Sequence, residues 1–276
     1  MKSIPSAPVA TRTASRLHCV HDWILRVLWG VLLVGSGTVG HTAQPGVFQY
    51  SLVNDWSDTT NPNGVWSYNY NDAPISVYQT MWWGEAGWGY YSIGDGCIIR
   101  GSAPTGTSPY GDVAGPAHDW QPGDVMMHAL SVPYGGLGTF LNVQWTSPAD
   151  GTINISGLAW DGEIIDGRDV GWSLLVGGQV IAQRSSVFGL YRTDAAADFG
   201  ANLVGGASLT AIPVTQGEVV EFLVATDTYY GQFVGVQENI TLTTVPEPAG
   251  ALILVTAILT GCLSAAAPRP LRARSC

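Results

Sequence analysis

Basic residues are almost missing from the long middle of this chain. Between Gln44 and Pro248 there is no lysine, and four arginines stand against twenty acidic residues, which leaves a net charge of −16 (4 − 20). These arginines are Arg100, Arg168, Arg184 and Arg192. A nucleic-acid surface needs clustered basic side chains to neutralise phosphates, so we expect no nucleic-acid partner. Neutral or cationic partners, such as sugars and calcium, remain open.

Cysteine is equally scarce. Three of the four cysteines lie near the two ends of the chain, which leaves Cys97 alone in the middle. A single thiol cannot form a disulfide within its own domain, so the stability of the fold must come from an apolar core. Charged residues make up only 12% of the chain. Amphipathic surface helices usually need more of them, and their scarcity favours β structure.

The sequence patterns of common catalytic sites are also missing. The chain contains no G-x-S-x-G, H-E-x-x-H or P-loop sequence. Only His118 and His128 lie in the middle region as candidate general bases. With twenty acidic residues, some pair will match the glycosidase spacing of about 5–10 Å by chance alone. We therefore expect no enzymatic activity, and a glycan-active hydrolase is the least favoured alternative.

The middle region is instead rich in glycine, aromatic residues and alternating patterns. The chain has 35 Gly, 11 Trp and 11 Tyr. Apolar residues recur at every second position in six short segments: 75–83, 141–145, 151–156, 170–176, 220–224 and 236–242. Turn sequences such as Asp161-Gly162 and Gln216-Gly217 separate them. This pattern predicts an all-β fold, a single antiparallel β-sandwich of jelly-roll type spanning residues 44–244.

Residues 1–43 have the features of a secretory signal peptide. An apolar run, 27–34, is followed by small residues. The basic residues that precede this run are Lys2, Arg12, Arg16 and Arg26. A basic start, a short apolar centre and a small-residue exit are typical of such signals. We expect a signal peptide here, with an uncleaved N-terminal anchor as the alternative.

The segment after Thr244 has three parts. Pro246-Glu247-Pro248 comes first, then the apolar stretch 249–267. The basic residues that follow are Arg269, Arg272 and Arg274. Nineteen helical residues extend about 28 Å, close to the hydrocarbon thickness of a bilayer, so 249–267 is expected to be a transmembrane helix. The arginines should remain cytoplasmic, which leaves the preceding domain outside. A buried core helix is the alternative.

This three-part segment resembles the PEP-CTERM sorting signal in its order and spacing. The resemblance implies that Pro246, Glu247 and Pro248 are recognised by the membrane enzyme exosortase, which cleaves near the motif and releases or transfers the protein. It also implies that Arg269, Arg272 and Arg274 form the basic tail of the signal. On this resemblance we expect an exported protein, held at the membrane by its helix and then placed at the cell surface or in the extracellular matrix.

Two short sequence segments in the middle region are the basis of a second resemblance. Residues 61–68, NPNGVWSY, and 143–157, from Val143-Gln-Trp145 to Gly151-Thr-Ile-Asn-Ile-Ser-Gly157, are similar to a β-sandwich domain that is frequent in PEP-CTERM proteins. The architecture of that domain is like that of carbohydrate-binding modules. The resemblance implies the fold rather than any particular activity.

Aromatic residues are concentrated near the start of the middle region, and some of them are candidates for binding a glycan. Sugar rings stack on flat aromatic side chains while polar neighbours bind the hydroxyl groups. The candidate residues are Tyr78, Trp82, Trp88 and Tyr90. The alternative is that such rings fill the core, which is the favoured interpretation for Trp66, Tyr68 and Tyr70.

An acidic stretch between 161 and 169 is a candidate calcium site. Closely spaced carboxylates around glycines can provide the several oxygen ligands that calcium prefers. The candidate ligands are Asp161, Glu163, Asp166 and Asp169. A solvated hairpin tip is the alternative. No other cofactor is indicated.

Together, these features suggest non-catalytic polysaccharide binding by a surface or matrix protein. A purely structural envelope protein without a specific ligand is the second hypothesis. Exposed aromatic rings would favour binding, and buried rings would favour the structural role.

Overall fold

The computed structural model of this protein describes residues 45–81, 84–89, 96–102, 121–129, 139–162, 168–225 and 231–245. All of them belong to one structural unit, Pro45–Pro246. The predicted signal peptide, sorting motif, membrane helix and basic tail lie outside these ranges. Within them, no helix is both long and apolar enough to span a bilayer.

Strands dominate the regular structure, and all their pairings are antiparallel. The described ranges contain no α-helix, and the 3-10 helices that lie wholly within them are the short segments Ala195–Ala197 and Phe199–Asn202. The predicted all-β, antiparallel fold is therefore confirmed. The strands are β1 (Val47–Ser51), β2 (Trp66–Tyr70), β3 (Ala73–Pro74), β4 (Tyr78–Thr80), β5 (Ala86–Gly89), β6 (Cys97–Arg100), β7 (Val125–His128), β8 (Leu141–Thr146), β9 (Gly151–Asp161), β10 (Gly171–Val176), β11 (Gln179–Arg184), β12 (Ile212–Val214), β13 (Val219–Ala225) and β14 (Phe233–Thr244).

The long strand β14 lies in the middle of one sheet, here called sheet A. One side of β14 pairs with β9, and the other side pairs first with β7 and then with β1. From edge to edge, sheet A runs β12-β9-β14-β7-β6-β5-β4. Pairing of β1 with β14 joins the two ends of the described chain: Gly46 N donates to Thr244 Oγ1 (3.0 Å), and Thr244 N donates to Gly46 O (2.9 Å).

The second sheet, sheet B, runs β11-β10-β13-β8-β2-β3. Segment 75–83, predicted as one strand, is not one: β3 ends at Pro74 in sheet B, and β4 begins at Tyr78 in sheet A. Ile75 N still donates to Tyr68 O (3.0 Å) before the chain crosses between the sheets. Apolar alternation continues through this crossing because Ile75 stays in the core, so the pattern alone could not reveal the break.

The inward faces of the two sheets enclose the main apolar core. The predicted inward residues of β8, β10 and β13 are all buried. They are Leu141, Val143, Trp145, Trp172, Leu174, Val176, Val220, Phe222 and Val224. Each large apolar side chain contributes roughly 1.5–3 kcal/mol when it leaves water. This sandwich-like core is what stabilises the described domain without a disulfide.

A second apolar cluster covers part of the outer face of sheet A. It contains Cys97, Ile99, Met126, Trp160 and Phe233 from the sheet. Residues from the segment between β11 and β12 pack onto it, namely Leu190 and Ala197. For this reason all four residues of β7 are buried, although they show no alternation of apolar and polar types.

The same segment between β11 and β12 closes the outer edge of β9. β12 pairs only with Gly151–Ile153, so the rest of that edge needs other partners. Leu190 O accepts from Asp161 N (2.8 Å), Leu209 O accepts from Ile155 N (2.8 Å), and Asp198 forms a bridge with Leu158. The backbone of β9 is thus hydrogen-bonded on both sides.

Candidate functional site

Tyr78, on the short strand β4, is the centre of the candidate site. Its ring is half-buried, and its hydroxyl group donates to Asp58 Oδ1 (2.7 Å). The same oxygen accepts from Trp56 Nε1 (2.5 Å). One exposed carboxylate therefore fixes both the phenol and the indole, although Asp58 and Tyr78 are twenty residues apart in the chain.

The loop that carries Asp58 is held in shape by local hydrogen bonds. Ser57 Oγ accepts from Thr59 N (3.3 Å) and Thr60 N (3.0 Å), a hydroxyl-to-backbone turn. Ser57 O accepts from Trp88 Nε1 (2.9 Å), which ties the loop to β5. These hydrogen bonds fix the loop, and they therefore hold Asp58 next to Tyr78.

A row of aromatic rings supports Tyr78 from the inside. Tyr78 meets Trp88 edge to face with centroids 5.1 Å apart, and Trp88 stacks on Tyr68 at 6.3 Å. Tyr68 in turn packs against Trp56 at 4.5 Å. Trp88 is only 4% exposed and Tyr68 is fully buried. Of these four rings, three are buried, and only that of Tyr78 is partly exposed to solvent.

Two clefts share the Tyr78 side chain. The first has a volume of about 580 Å³, and its lining includes Tyr78, Asp58, Glu85, Arg100 and Ser102. The second has a volume of about 430 Å³, and its lining includes Tyr78, Thr59, Thr60, Asn61, Ser76 and Trp88. Both volumes fall within the range typical of small-molecule sites. Hydroxyl, amide and charged groups therefore surround one partly exposed ring.

The first cleft contains one buried, hydrogen-bonded acidic residue and one exposed basic residue. Glu85 is buried and its Oε2 accepts from Ser102 N (2.9 Å). Arg100, at the end of β6, is exposed and forms no ion pair with any residue that the structure describes. Its guanidinium group can donate up to five hydrogen bonds to a ligand.

The phenol of Tyr78 remains protonated. Burial of the ring and the hydrogen bond donated to the Asp58 carboxylate raise the pKa of Tyr78 well above its usual value. A neutral ring is what a sugar face stacks on, and the hydroxyl groups of the sugar find donors and acceptors nearby. This arrangement can bind a neutral glycan. It does not by itself indicate bond cleavage.

The four aromatic candidates have different places in the structure. Tyr78 lines both clefts, whereas Trp88 lies behind it and reaches only the second. Trp82 and Tyr90 lie outside the described residues. Trp66 and Tyr68 are buried as expected, and Tyr70 packs partly against the core.

Asp58 and Arg100 were missed by the sequence reasoning. Neither occurs in a recognisable motif, and their closeness to Tyr78 depends on the path of the chain between the sheets. The one local signal was the polar run 57–60 directly after a tryptophan.

The predicted calcium ligands are only partly described. Asp161 is fully buried, and it accepts from Gly189 N (2.9 Å) and Gln232 Nε2 (2.8 Å). Asp169 accepts from Ser186 Oγ (2.7 Å). Both carboxylates thus hold loop segments together. Glu163 and Asp166 fall outside the described residues. Within the described ranges, Asp161 and Asp169 included, no group of three or more His, Cys, Asp or Glu is placed to hold a metal ion.

No protein-family model matches this chain, and no curated protein matches it. A functional proposal therefore depends on the geometry around Tyr78 and on the sequence patterns.

Proposed function

We propose that this chain is an exported surface protein whose β domain binds a neutral polysaccharide without cleaving it. The observation that carries this proposal is the Tyr78 ring, which belongs to two polar-lined clefts and is fixed by Asp58. A fixed ring costs little conformational entropy on binding, which favours affinity. Two clefts that share one ring suit a chain of sugar units better than a single small molecule.

The domain is proposed to be a jelly-roll-like sandwich of the kind found in carbohydrate-binding modules. Two facing antiparallel sheets with an apolar core support this finer assignment. So does the return of the last strand, β14, to pair with β1. The fold alone assigns no ligand, so the functional argument depends on the clefts.

Export and sorting form the second part of the proposal. The signal peptide 1–43 directs secretion, helix 249–267 holds the protein in the membrane, and exosortase recognises Pro246, Glu247 and Pro248. The composition of segment 245–276 supports this. The last strand ends at Thr244, so the motif begins two residues after the folded sheet. A processing enzyme would therefore have only Val245 as a linker between the last strand and the motif.

Sorting can be tested in cells that contain exosortase. Replacing Glu247 by Ala, or deleting the arginines 269, 272 and 274, should leave the protein in the membrane fraction, whereas the wild-type chain should appear at the surface or in the medium. A chain that is never exported, or one released equally well with Glu247→Ala, would refute this part of the proposal.

Binding can be tested with the full-length protein in mild detergent on gels that contain polysaccharides, including the exopolysaccharide of the producing cell. Tyr78→Ala should weaken retardation about tenfold, because it removes the stacking face. Tyr78→Phe should weaken it less. Tyr191→Ala is the matched control, since Tyr191 is 41% exposed but lies far along the chain, in the segment between β11 and β12. Absence of retardation on every polysaccharide, or equal retardation of the wild type and Tyr78→Ala, would exclude the binding role.

A purely structural matrix role is the second candidate. It is favoured by the burial of most aromatic rings in the described domain, including Trp56, Trp66, Trp88, Trp145 and Trp172. A protein with this role would show no retardation on any gel and would still be found in the matrix.

A further inference from the structure

Arg100 differs from the other arginines of the described ranges because its side chain has no partner among the residues that the structure describes. The side chains of Arg184 and Arg192 bind other side chains, and Arg168 also interacts with another residue. Arg100 is exposed and forms neither a hydrogen bond nor an ion pair, although the region 44–248 contains twenty acidic residues. Its guanidinium group is therefore open to a ligand in the first cleft.

The side chain of Arg100 lies on the same face of sheet A as the Tyr78 ring. Tyr78 pairs with Trp88, and Trp88 pairs in turn with Ile98. Arg100 follows Ile98 by two residues, and register partners and alternate residues of a strand share one face of a sheet. Gly123 lies beside the guanidinium group and adds no side chain there: a Cβ atom on this glycine would be 3.8 Å from Arg100 Nη2. The cleft therefore keeps room next to the arginine.

Asp58 provides a hydrogen-bond acceptor in the same cleft. Its Oδ1 accepts from the Tyr78 hydroxyl group and from Trp56 Nε1, whereas its Oδ2 accepts from none of the residues that the structure describes. The residue is exposed, and the two bonds at Oδ1 hold its carboxylate in one orientation. The cleft thus combines a fixed acceptor, at the hydroxyl end of the Tyr78 ring, with the donor groups of Arg100.

These two charges of opposite sign limit the chemistry of a ligand. A carboxylate or sulfate group bound to Arg100 would also meet the carboxyl groups of Asp58 and Glu85, which line the same cleft. A cation bound to Asp58 would meet the guanidinium group. A hydroxyl group is neutral and can both donate and accept a hydrogen bond, so it suits either partner without an opposing charge. The cleft therefore favours a neutral ligand with several hydroxyl groups.

We propose that Arg100 and Asp58 bind two neighbouring hydroxyl groups of the sugar unit that stacks on Tyr78. This inference rests on the glycan binding proposed above and names the part of the glycan that the cleft selects. One hydroxyl group accepts from the guanidinium group and the next donates to Asp58 Oδ2, while the Tyr78 ring contacts the apolar face of the sugar. The ligand is thus a neutral polysaccharide whose units keep two adjacent hydroxyl groups free of acetyl or methyl groups.

Affinity electrophoresis of the full-length protein in mild detergent tests this assignment. The gels contain a soluble β-glucan, a galactomannan or the exopolysaccharide of the producing cell, each before and after acetylation of its hydroxyl groups. On the unmodified polysaccharide, Arg100→Gln should weaken retardation about tenfold, because it removes charge-assisted hydrogen bonds. Arg100→Lys should recover only part of this loss, since an ammonium group lacks the parallel donors of a guanidinium group. Acetylation should weaken retardation of the wild type to a similar degree and that of Arg100→Gln little further.

Arg184→Gln is the matched control, because it removes the same charge on β11, the edge strand of sheet B. It should leave retardation unchanged. Melting temperatures separate binding from folding. Arg100 has no partner within the described ranges, so Arg100→Gln should melt at the same temperature as the wild type.

Three results would overturn the assignment: equal retardation of the wild type and Arg100→Gln, undiminished retardation of the wild type after acetylation, or stronger retardation by the acidic polysaccharide alginate than by the neutral ones. Failure of this assignment alone would leave Tyr78→Ala weakened and Arg100→Gln normal. Failure of glycan binding as a whole would instead show no retardation of the wild type on any gel, and it would remove both proposals.

Discussion

Gly235 of β14 lies directly against the indole ring of Trp160, its register partner on β9. A methyl group on Gly235 would overlap the six-membered part of that ring. The guanidinium group of Arg192 lies over the Trp160 ring, 5.1 Å from its centroid. The indole therefore needs the space that only glycine leaves open beside it.

Gly235→Ala should destabilise the domain by about 1–3 kcal/mol, because Trp160 has to move out of a packed cluster. Urea unfolding of the full-length protein, followed by tryptophan fluorescence, measures this loss. Asn239→Ala is the control, since Asn239 is exposed on the same strand; it should change the free energy of unfolding by less than about 0.5 kcal/mol. Equal stability of the two variants would contradict the packing argument.

Arg192 also forms a partly buried ion pair with Asp124, which in turn accepts from Gln121 N (2.8 Å). Burial raises the pKa of Asp124, and Arg192 opposes this. Arg192→Ala should therefore raise the pKa further and cost about 3 kcal/mol at neutral pH, with a smaller loss at low pH. Adding Asp124→Asn should recover part of the loss. A double-mutant cycle with no coupling between the two positions would contradict this.

Glu238 should make the domain less stable as the pH rises. Its side chain lies between those of Val236 and Ile240 on the inward face of β14, it is 1% exposed, and neither carboxyl oxygen has a hydrogen-bond partner within the described ranges. Burial raises the pKa of Glu238 from 4.5 to about 8. The folded state thus keeps a proton that the unfolded chain releases, so stability is full below pH 4.5 and falls as the pH rises towards 8.

The decrease should approach roughly 1.4 kcal/mol per pH unit within that window. Glu238→Gln cannot ionise, so the difference between its stability and that of the wild type isolates this one group. Urea unfolding at pH 5, 6, 7 and 8 should show the two proteins converging at low pH and the variant ahead at high pH. Parallel curves over the whole range would contradict an un-ionised, buried Glu238.

Where the chain crosses between the sheets, the side chain of Asn61 makes the hydrogen bonds to the backbone that a neighbouring strand would otherwise make. Its Nδ2 donates to Tyr68 O (2.6 Å) and Ile75 O (2.8 Å), while its Oδ1 accepts from Tyr68 N (2.9 Å). Asn61→Ala should cost about 2–3 kcal/mol, since the Tyr68 N–H and the Ile75 carbonyl lose their hydrogen bonds to the Asn61 side chain, while Tyr68 O keeps the bond from Ile75 N. Asn54→Ala, at an exposed position, is the control for melting measurements. A loss for Asn61→Ala no larger than for this control would contradict the role.

The sequence could predict those strands that have one face in the core and the other in water. β8 and much of β9 alternate apolar and polar residues, β10 and β13 have a large apolar residue at every second position, and the inward positions of all four strands were identified correctly. β7 was missed because the second apolar cluster buries its outer face as well, which removes the alternation. Periodicity reports burial on one face and says nothing of a strand buried on both.

The candidate sites were harder to predict for a different reason. Tyr78 was identified by its aromatic type, but Asp58, which fixes it, is twenty residues away in the chain. In the same way, the hydrogen bond between Asn142 and Asp72 joins residues seventy positions apart, which meet only through the pairing of β2 with β8. Long-range register of this kind leaves no mark in a local pattern.

The segment that closes the outer edge of β9 has a consequence for self-association. An uncovered strand of eleven residues offers free backbone donors and acceptors to a neighbouring molecule, and this is a common start of fibrous aggregation. Here those groups are already occupied by Leu190, Asp198 and Leu209. At high local concentration, as in a matrix, the longest edge of this sheet is thus withheld from strand exchange between molecules.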